Sequence, residues 1–247
     1  MKIAVAGGTG TVGRLVVERV RAAGHEPVVL SRAAGVDLRD RAATDRALVG
    51  VGALIDAASV GTTRAATSTE FFHAASGTLL AAARAAGVAH AVLLSIVGID
   101  RNPNGYYAGK VVQEELFERG TVPWTILRAT QFHEFAGQVA SQARLGPLQL
   151  APRARVQPVA AAEVAARLVA LAVSGPQGRA ADLAGPREER LERMIRAWVH
   201  RDGSRTPVIP VGIPGAQMRG MRAGLNLPAA GATLAGPTFD DWLAAQR

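Results

Sequence analysis

The 247-residue chain has no cysteine. A disulfide framework and a thiolate metal site are thereby excluded, and nothing points to an oxidising compartment. Its five histidines (His25, His73, His90, His133 and His200) show no HxxxH spacing, so no metal centre is expected. Aromatic residues amount to 4%, too sparse to interleave with basic residues as a base-stacking surface requires. No stretch of about 18 uninterrupted apolar residues occurs, which leaves no membrane span. Met1-Lys2 runs directly into a short apolar strand, with no signal-type apolar region or cleavage pattern. The expectation is a cytoplasmic protein with no membrane partner.

Acidic residues are the minority charge, 20 against 28 Lys and Arg, for a formal charge of +8. Clustered cations would suggest phosphate-backbone binding, but here the arginines stand singly along the chain (Arg14, Arg19, Arg32, Arg64, Arg84, Arg167, Arg219). A solvated basic surface that steers anionic ligands is expected, and no nucleic-acid partner.

Hydrophobic residues make up 49% of the chain, enough for one substantial core, and the length fits a single α/β unit spanning 1–247. Short β-rich apolar runs alternate with longer segments of helical period, as in successive βαβ units feeding a parallel sheet. Strands are predicted at Ile3–Ala6, Pro27–Leu30, Ala53–Ala57, Ala91–Ser95 and Trp124–Arg128. Helices are predicted at Val12–Ala23, Glu70–Ala86, Tyr106–Arg119 and Ala161–Val173. Gly24, Gly87 and Gly120 stand where left-handed residues close helices. Only Ser31–Val36 separates the second strand from Asp37-Leu38, so the helix of that crossover is expected to be missing or reduced to a loop. From about 147 onward, prolines and Gly/Pro-rich connectors change the texture, and a small substrate-facing cap is placed there. Met218, Met221, Leu225 and Leu227 are candidates for an apolar lid or for ordinary packing.

Gly7-Gly8-Thr9-Gly10-Thr11-Val12-Gly13 follows a predicted strand and opens a predicted helix, the context in which a glycine pattern indicates dinucleotide binding. Gly7 permits the tight turn, Gly10 lets the backbone approach a pyrophosphate, and Gly13 allows close packing of helix on strand. The helix N-terminus presents unpaired N–H groups to the anion. About twenty positions on, where an NAD-selective site has a carboxylate, the second strand ends Ser31-Arg32. Arg32 can fork two donors onto a 2′-phosphate and Ser31 can add a third, which favours NADP(H) over NAD(H). Asp37, close by after the short connection, is a competing carboxylate.

The chain has two tyrosines and two lysines, and three of these four residues lie in Tyr106-Tyr107-Ala108-Gly109-Lys110. Lys110 stands one helical turn after Tyr106, on the same face. A nearby ammonium would lower the phenol pKa and make Tyr106 a tunable general acid, and Lys110 could also bond ribose hydroxyls. An amphipathic surface helix would show the same spacing.

These residues, with Leu93-Leu94-Ser95-Ile96-Val97-Gly98, Trp124 through Phe132, Gln157-Pro158-Val159 and Glu163-Val164-Ala165, make the chain resemble the short-chain dehydrogenase/reductases, in their atypical NmrA-like, NAD(P)-binding branch. The resemblance implies a doubly wound parallel sheet, the Rossmann fold. It implies that Gly7, Thr9, Gly10, Thr11, Val12, Gly13, Ser31 and Arg32 contact the cofactor, with Asp37 and Leu38 near adenine and Ala57, Ala58 and Ser59 near a ribose. The loop from Arg128 to Phe132, including Thr130, would lie near the nicotinamide. Tyr106 and Lys110 carry over onto the catalytic pair of the family. Reductases of the family usually add a catalytic serine at the second of two serines ending the fourth strand; here Ser95 aligns with the first and Ile96 with the second. The implied activity is NADPH-dependent reduction of a small carbonyl, quinone or enone, with Ser95 a possible stand-in. Because the branch also contains regulators, an NADP(H)-sensing binding protein is the alternative.

Overall fold

The computed structural model describes residues 1–246. Strands and helices alternate from the start: β1 (Lys2–Ala6), α1 (Thr11–Ala22), β2 (Glu26–Leu30), α2 (Arg41–Ala47), β3 (Val51–Asp56), α3 (Ala65–Ala85), β4 (His90–Ile96), α4 (Tyr106–Arg119) and β5 (Trp124–Ala129). Then follow α5 (Phe135–Gln142), β6 (Arg144–Leu145), β7 (Leu148–Pro152), β8 (Arg155–Val156), α6 (Ala161–Ser174), β9 (Gly178–Arg179) and β10 (Leu183–Ala184). The chain ends with β11 (Glu189–Arg190), α7 (Leu191–His200), β12 (Val208–Val211), α8 (Ala216–Arg222), β13 (Thr233–Leu234) and α9 (Phe239–Ala244).

The main sheet runs β13-β10-β5-β4-β3-β1-β2, with β9 also paired to β5, and its strands are parallel. The order reverses between β1 and β3, the switch point at which doubly wound sheets bind ligands. Both faces are covered, so the strands read as continuous apolar runs. On one face α1 and α6 contribute Val12, Val16, Val20, Val164 and Leu168 to a cluster with Ile3, Val5, Ile55 and Val92. On the other, Leu79, Ala83 and Phe117 from α3 and α4 pack on Ala4, Leu54, Leu93 and Ile126. A third cluster joins Ala136, Ala140, Leu191, Met194, Ile195, Met221 and Phe239 and forms the interior of the C-terminal segment. That segment is stitched to the Rossmann sheet by β10 and β13 and by Asn102, whose side chain donates to Asn226 Oδ1 (2.9 Å) and to the Gln217 carbonyl (3.0 Å). Met221 is buried in this packing, with Met218 against it.

Three sequence expectations need correction. The β2–β3 crossover keeps a helix: a 3-10 turn at Arg32–Ala34 is followed by the seven-residue α2, which Asp40 caps by accepting from the Ala43 amide (3.1 Å). Helix α3 starts five residues before Glu70, because buried Ser68 docks on α4, donating to the Tyr106 carbonyl (2.7 Å) where Gly109 leaves room for it. Gly120 closes α4 with φ −70°, in extended backbone rather than the left-handed region.

Candidate functional site

The turn between β1 and α1 is shaped by close backbone packing. Gly7 has φ +72°, and a Cβ there would lie 2.6 Å from the Ala57 carbonyl oxygen. A Cβ on Gly13 would overlap the Gly7 carbonyl oxygen and stand 2.8 Å from Gly8 Cα. Gly10, by contrast, has an ordinary φ of −78° and would meet only the Gly7 carbonyl, at 3.3 Å. It is the N-cap of α1 and supplies no side-chain cap, so the first amides of the helix remain available to an anion. A cradle that a single methyl would fill, at an uncapped helix N-terminus on the switch point, fits a dinucleotide pyrophosphate. Thr9 is exposed beside it, Val12 is buried, and Thr11 accepts a hydrogen bond from Gln138 on α5 (2.9 Å).

At the end of β2, Ser31 caps the 3-10 turn by accepting from the Ala34 amide (3.2 Å), and Arg32 is exposed. Asp37 is gripped by its neighbour: Arg39 donates from Nε (3.1 Å) and Nη2 (2.8 Å) to the two carboxylate oxygens. That hydrogen bonding holds the Asp37 carboxyl at about 2. Leu38 is buried in the core with Leu30 and Leu48.

Ala57 and Ala58 follow β3 against the glycine turn, and the next residue, exposed Ser59, places its Oγ 3.0 Å from Tyr106 Oη. Glycine turn, β3 end and Tyr106 are therefore contiguous. Tyr106 opens α4 between Phe72 and Tyr107, edge-on to both at 5.7 and 6.3 Å. Burial pushes its phenol up to about 12, the Ser59 hydrogen bond opposing.

The expected tuning by Lys110 is not what the structure shows. Lys110 does share a helix face with Tyr106, but its ammonium turns into the core, donating to the Leu94 carbonyl (2.7 Å) and to Gln113 Oε1, and lying 4.9 Å over the Phe72 ring. Burial depresses it to about 8, with Asp56 and Glu114 resisting the shift. Lys110 is not among the groups acting on the Tyr106 phenol, which burial moves up rather than down.

Sequence reasoning missed the polar ladder beneath the site. Asp56, buried at the end of β3, accepts from the Ala58 amide (3.0 Å), Gln113 Nε2 (2.9 Å) and Ser76 Oγ (3.3 Å). Glu114 accepts a fork from Arg128 (2.9 and 2.8 Å) and a further bond from Arg179 (2.9 Å). Burial, the largest single influence, would raise the Glu114 carboxyl, but the hydrogen bonding of Arg128, the nearby Ser95 hydroxyl and the charges of Arg128 and Arg179 together hold the group below its ordinary range. A carboxylate ending an apolar strand, and Gln113 and Glu114 three and four residues after Lys110, were the available clues. Glu114→Ala leaves Arg128 without its fork; with the Glu114 side chain 4% exposed, the loss expected is about 3 kcal/mol. The check is a thermal melt, with Tm falling about 6–12 °C.

Ser95 and Ile96 divide as strand alternation requires. Ser95 pairs in register with Arg128 and is buried on the α4 side, where its hydroxyl has no partner of normal hydrogen-bond geometry. Ile96 packs with Tyr106 and Val111 against the cap cluster. In the following loop, Thr130 donates to the Gln157 carbonyl (2.6 Å), and half-buried Phe132 bridges to Val159. Among the described residues no group of three or more potential metal ligands occurs, and no helix is long and apolar enough to cross a membrane.

A parallel sheet with an uncapped glycine turn at its switch point defines a dinucleotide-binding class of protein. Residues 7–174 match the NAD(P)H-binding family, and the chain belongs to that family. Its fold is that of NAD(P)-binding proteins of the short-chain dehydrogenase/reductase superfamily, as the resemblance to the atypical branch implied. A short-chain dehydrogenase/reductase superfamily protein from Agrobacterium tumefaciens, solved with NAD, is similar at 19% identity and TM-score 0.69, over 99% of this chain and 95% of that one. An NADPH-dependent quinone oxidoreductase from Escherichia coli, complexed with NADPH, gives 19% and 0.75 over 99% of both chains. A UDP-glucose 4-epimerase from Bifidobacterium longum, in complex with NAD+ and UDP, gives 13% and 0.72 over 99% and 96%. No curated protein sequence matches the chain.

Proposed function

We propose that the protein is an NADPH-dependent reductase of a small carbonyl, quinone or enone, with Tyr106 as the proton donor. The observation that carries this reading is the contact of the Tyr106 hydroxyl with Ser59, directly beyond the Ala57-Ala58 segment that walls the glycine turn. Bound reduced nicotinamide supplies the hydride. The half-buried Tyr106 phenol stays protonated through the working pH range and delivers its proton to the substrate oxygen. Lys110 fixes the donor by pinning α4 to β4 through the Leu94 carbonyl. A ribose contact by Lys110 would fall to its remaining ammonium proton, the other two going to the Leu94 carbonyl and Gln113 Oε1. Replacing Tyr106 by Phe and following NADPH oxidation over a panel of quinones and carbonyls tests the reading.

NADPH is preferred in this reading because Arg32 is exposed at the end of β2 while Arg39 engages the competing Asp37 carboxylate. Arg32→Ala is expected to weaken NADPH binding about tenfold, the equivalent of one charge-assisted hydrogen bond, and to leave NADH binding unchanged. Fluorescence titration of both cofactors measures this; tighter or equal NADH binding by the unaltered protein would refute the preference.

A second reading, an NADP(H)-sensing regulator with little turnover, is favoured by Ile96, an aliphatic side chain where reductases of the family place a serine. Steady turnover together with equal affinity for NADP+ and NADPH would set it aside.

A further inference from the structure

We propose that Ser59 is a catalytic hydroxyl of this site, donating with Tyr106 to the oxygen of the substrate carbonyl and supplying from the end of β3 the donor that the end of β4 lacks. The inference rests on the reductase reading and adds a residue to it.

Two hydroxyl positions near the C-terminal end of β4 are closed to this task. Ile96 carries no donor and packs into the cap cluster. Ser95 is 1% exposed and faces the α4 side, so a ligand does not reach it. Ser59 is exposed, so a ligand can reach it, and its Oγ lies 3.0 Å from Tyr106 Oη. Among the described residues, Ser59 is the hydrogen-bond partner of that phenol. Two hydroxyls at this separation can both donate to one oxygen placed about 2.7 Å from each, the ordinary O–H···O distance. The bond between them is then exchanged for two bonds to the substrate, so neither hydroxyl is left unpaired during the reaction.

The chemistry balances with these two groups. With bound nicotinamide supplying a hydride to the carbonyl carbon, the C=O π pair would move onto oxygen, and the Ser59 and Tyr106 hydroxyls would hold the developing oxyanion. The oxygen takes the Tyr106 proton, giving the alcohol, and the phenolate is reprotonated from water. Ser59 keeps its proton throughout. Its part is to stabilise charge that exists only as hydride arrives, so its loss should lower kcat more than it raises KM.

The experiment compares Ser59→Ala, Ser59→Thr and Tyr106→Phe in three measurements: NADPH affinity by fluorescence, steady-state kinetics on quinones and carbonyls, and the ring-carbon shift of labelled Tyr106 in a Tyr107→Phe background. With two tyrosines in the chain, that background isolates Tyr106. Ser59→Ala is expected to lower kcat/KM on the order of tenfold to a hundredfold, to keep NADPH affinity within twofold, and to shift the Tyr106 resonance. Ser59→Thr, which keeps the hydroxyl, should restore activity to within a few fold and return the resonance. If Ser59→Ala weakens NADPH binding while kcat stands, Ser59 is a ribose contact and the inference is overturned. It is overturned equally if Ser59→Ala has no kinetic effect while Tyr106→Phe does. If Tyr106→Phe itself leaves turnover intact, the reductase reading fails at its proton donor, a result distinct from failure at Ser59.

Discussion

Tyr106→Phe should reduce kcat/KM for carbonyl reduction by two to four orders of magnitude, the span associated with a positioned general acid, while NADPH still binds. The change removes one oxygen and preserves the ring that packs on Phe72 and Tyr107. Stability should move little, since the lost hydrogen bond is to an exposed serine. The pH profile adds an independent check. An ordinary phenol ionises near pH 10, so a reductase relying on one would lose activity as pH approaches that value. Burial lifts Tyr106 to about 12, and the acid form therefore persists further into the alkaline range. The proton-donor limb of kcat should lie above that of a free phenol, and an alkaline loss beginning near neutrality would assign it to another group.

The second large effect concerns the glycine turn, where two substitutions separate fold from ligand. Gly13→Ala inserts a methyl into the Gly7 carbonyl and against Gly8 Cα (2.8 Å). Neither neighbour is a side chain that can turn away, so α1 must shift off β1. Overpacking of this kind costs roughly 1–3 kcal/mol or more, and the displaced helix N-terminus no longer meets the pyrophosphate. Cofactor affinity should fall about a hundredfold, together with Tm. Gly10→Ala behaves differently. Its backbone already suits alanine and its Cβ meets only the Gly7 carbonyl at 3.3 Å, so the fold should tolerate it, while the methyl crowds the mouth of the helix. Binding should weaken with Tm nearly unchanged. Calorimetric titration and thermal melts on both variants give the comparison; equal cofactor affinity in all three proteins would remove the glycine turn from the site.

The parts of the fold that follow from local pattern were legible in advance. The five strands β1 to β5 lie within two residues of their predicted bounds, and α4 spans Tyr106–Arg119 as read from its period. Their apolar runs are long, and glycines punctuate them. In the C-terminal segment helix α6 was legible from its period, Ala161–Val173 read against Ala161–Ser174 observed, but the rest showed only as a change in texture, because β8, β9, β10, β11 and β13 are two residues each and carry no periodicity. In the site, the glycine turn could be read because its residues are consecutive. The Ser59–Tyr106 contact could not, since it joins residues 47 positions apart. Lys110 marks the other limit: an interval of one turn fixes a shared helix face, but not whether the side chain reaches outward to a ligand or inward to the Leu94 carbonyl. Asp56, Gln113, Glu114 and Arg128 individually resemble solvated positions, and only the assembly of β3, β5 and α4 pairs Asp56 with Gln113 and Glu114 with Arg128 away from solvent.

The central claim is that cofactor held at the glycine turn gives its hydride to a carbonyl beside Tyr106. Its most direct test is incubation with NADPH deuterated at the transferring face of C4 and a panel of aldehydes, ketones and enones, with mass spectrometry of the products. The account predicts deuterium on carbon in at least one product, lost when Tyr106 is replaced by Phe. Tight NADPH binding with no label transferred to any acceptor would contradict it and leave a cofactor-binding protein without this chemistry.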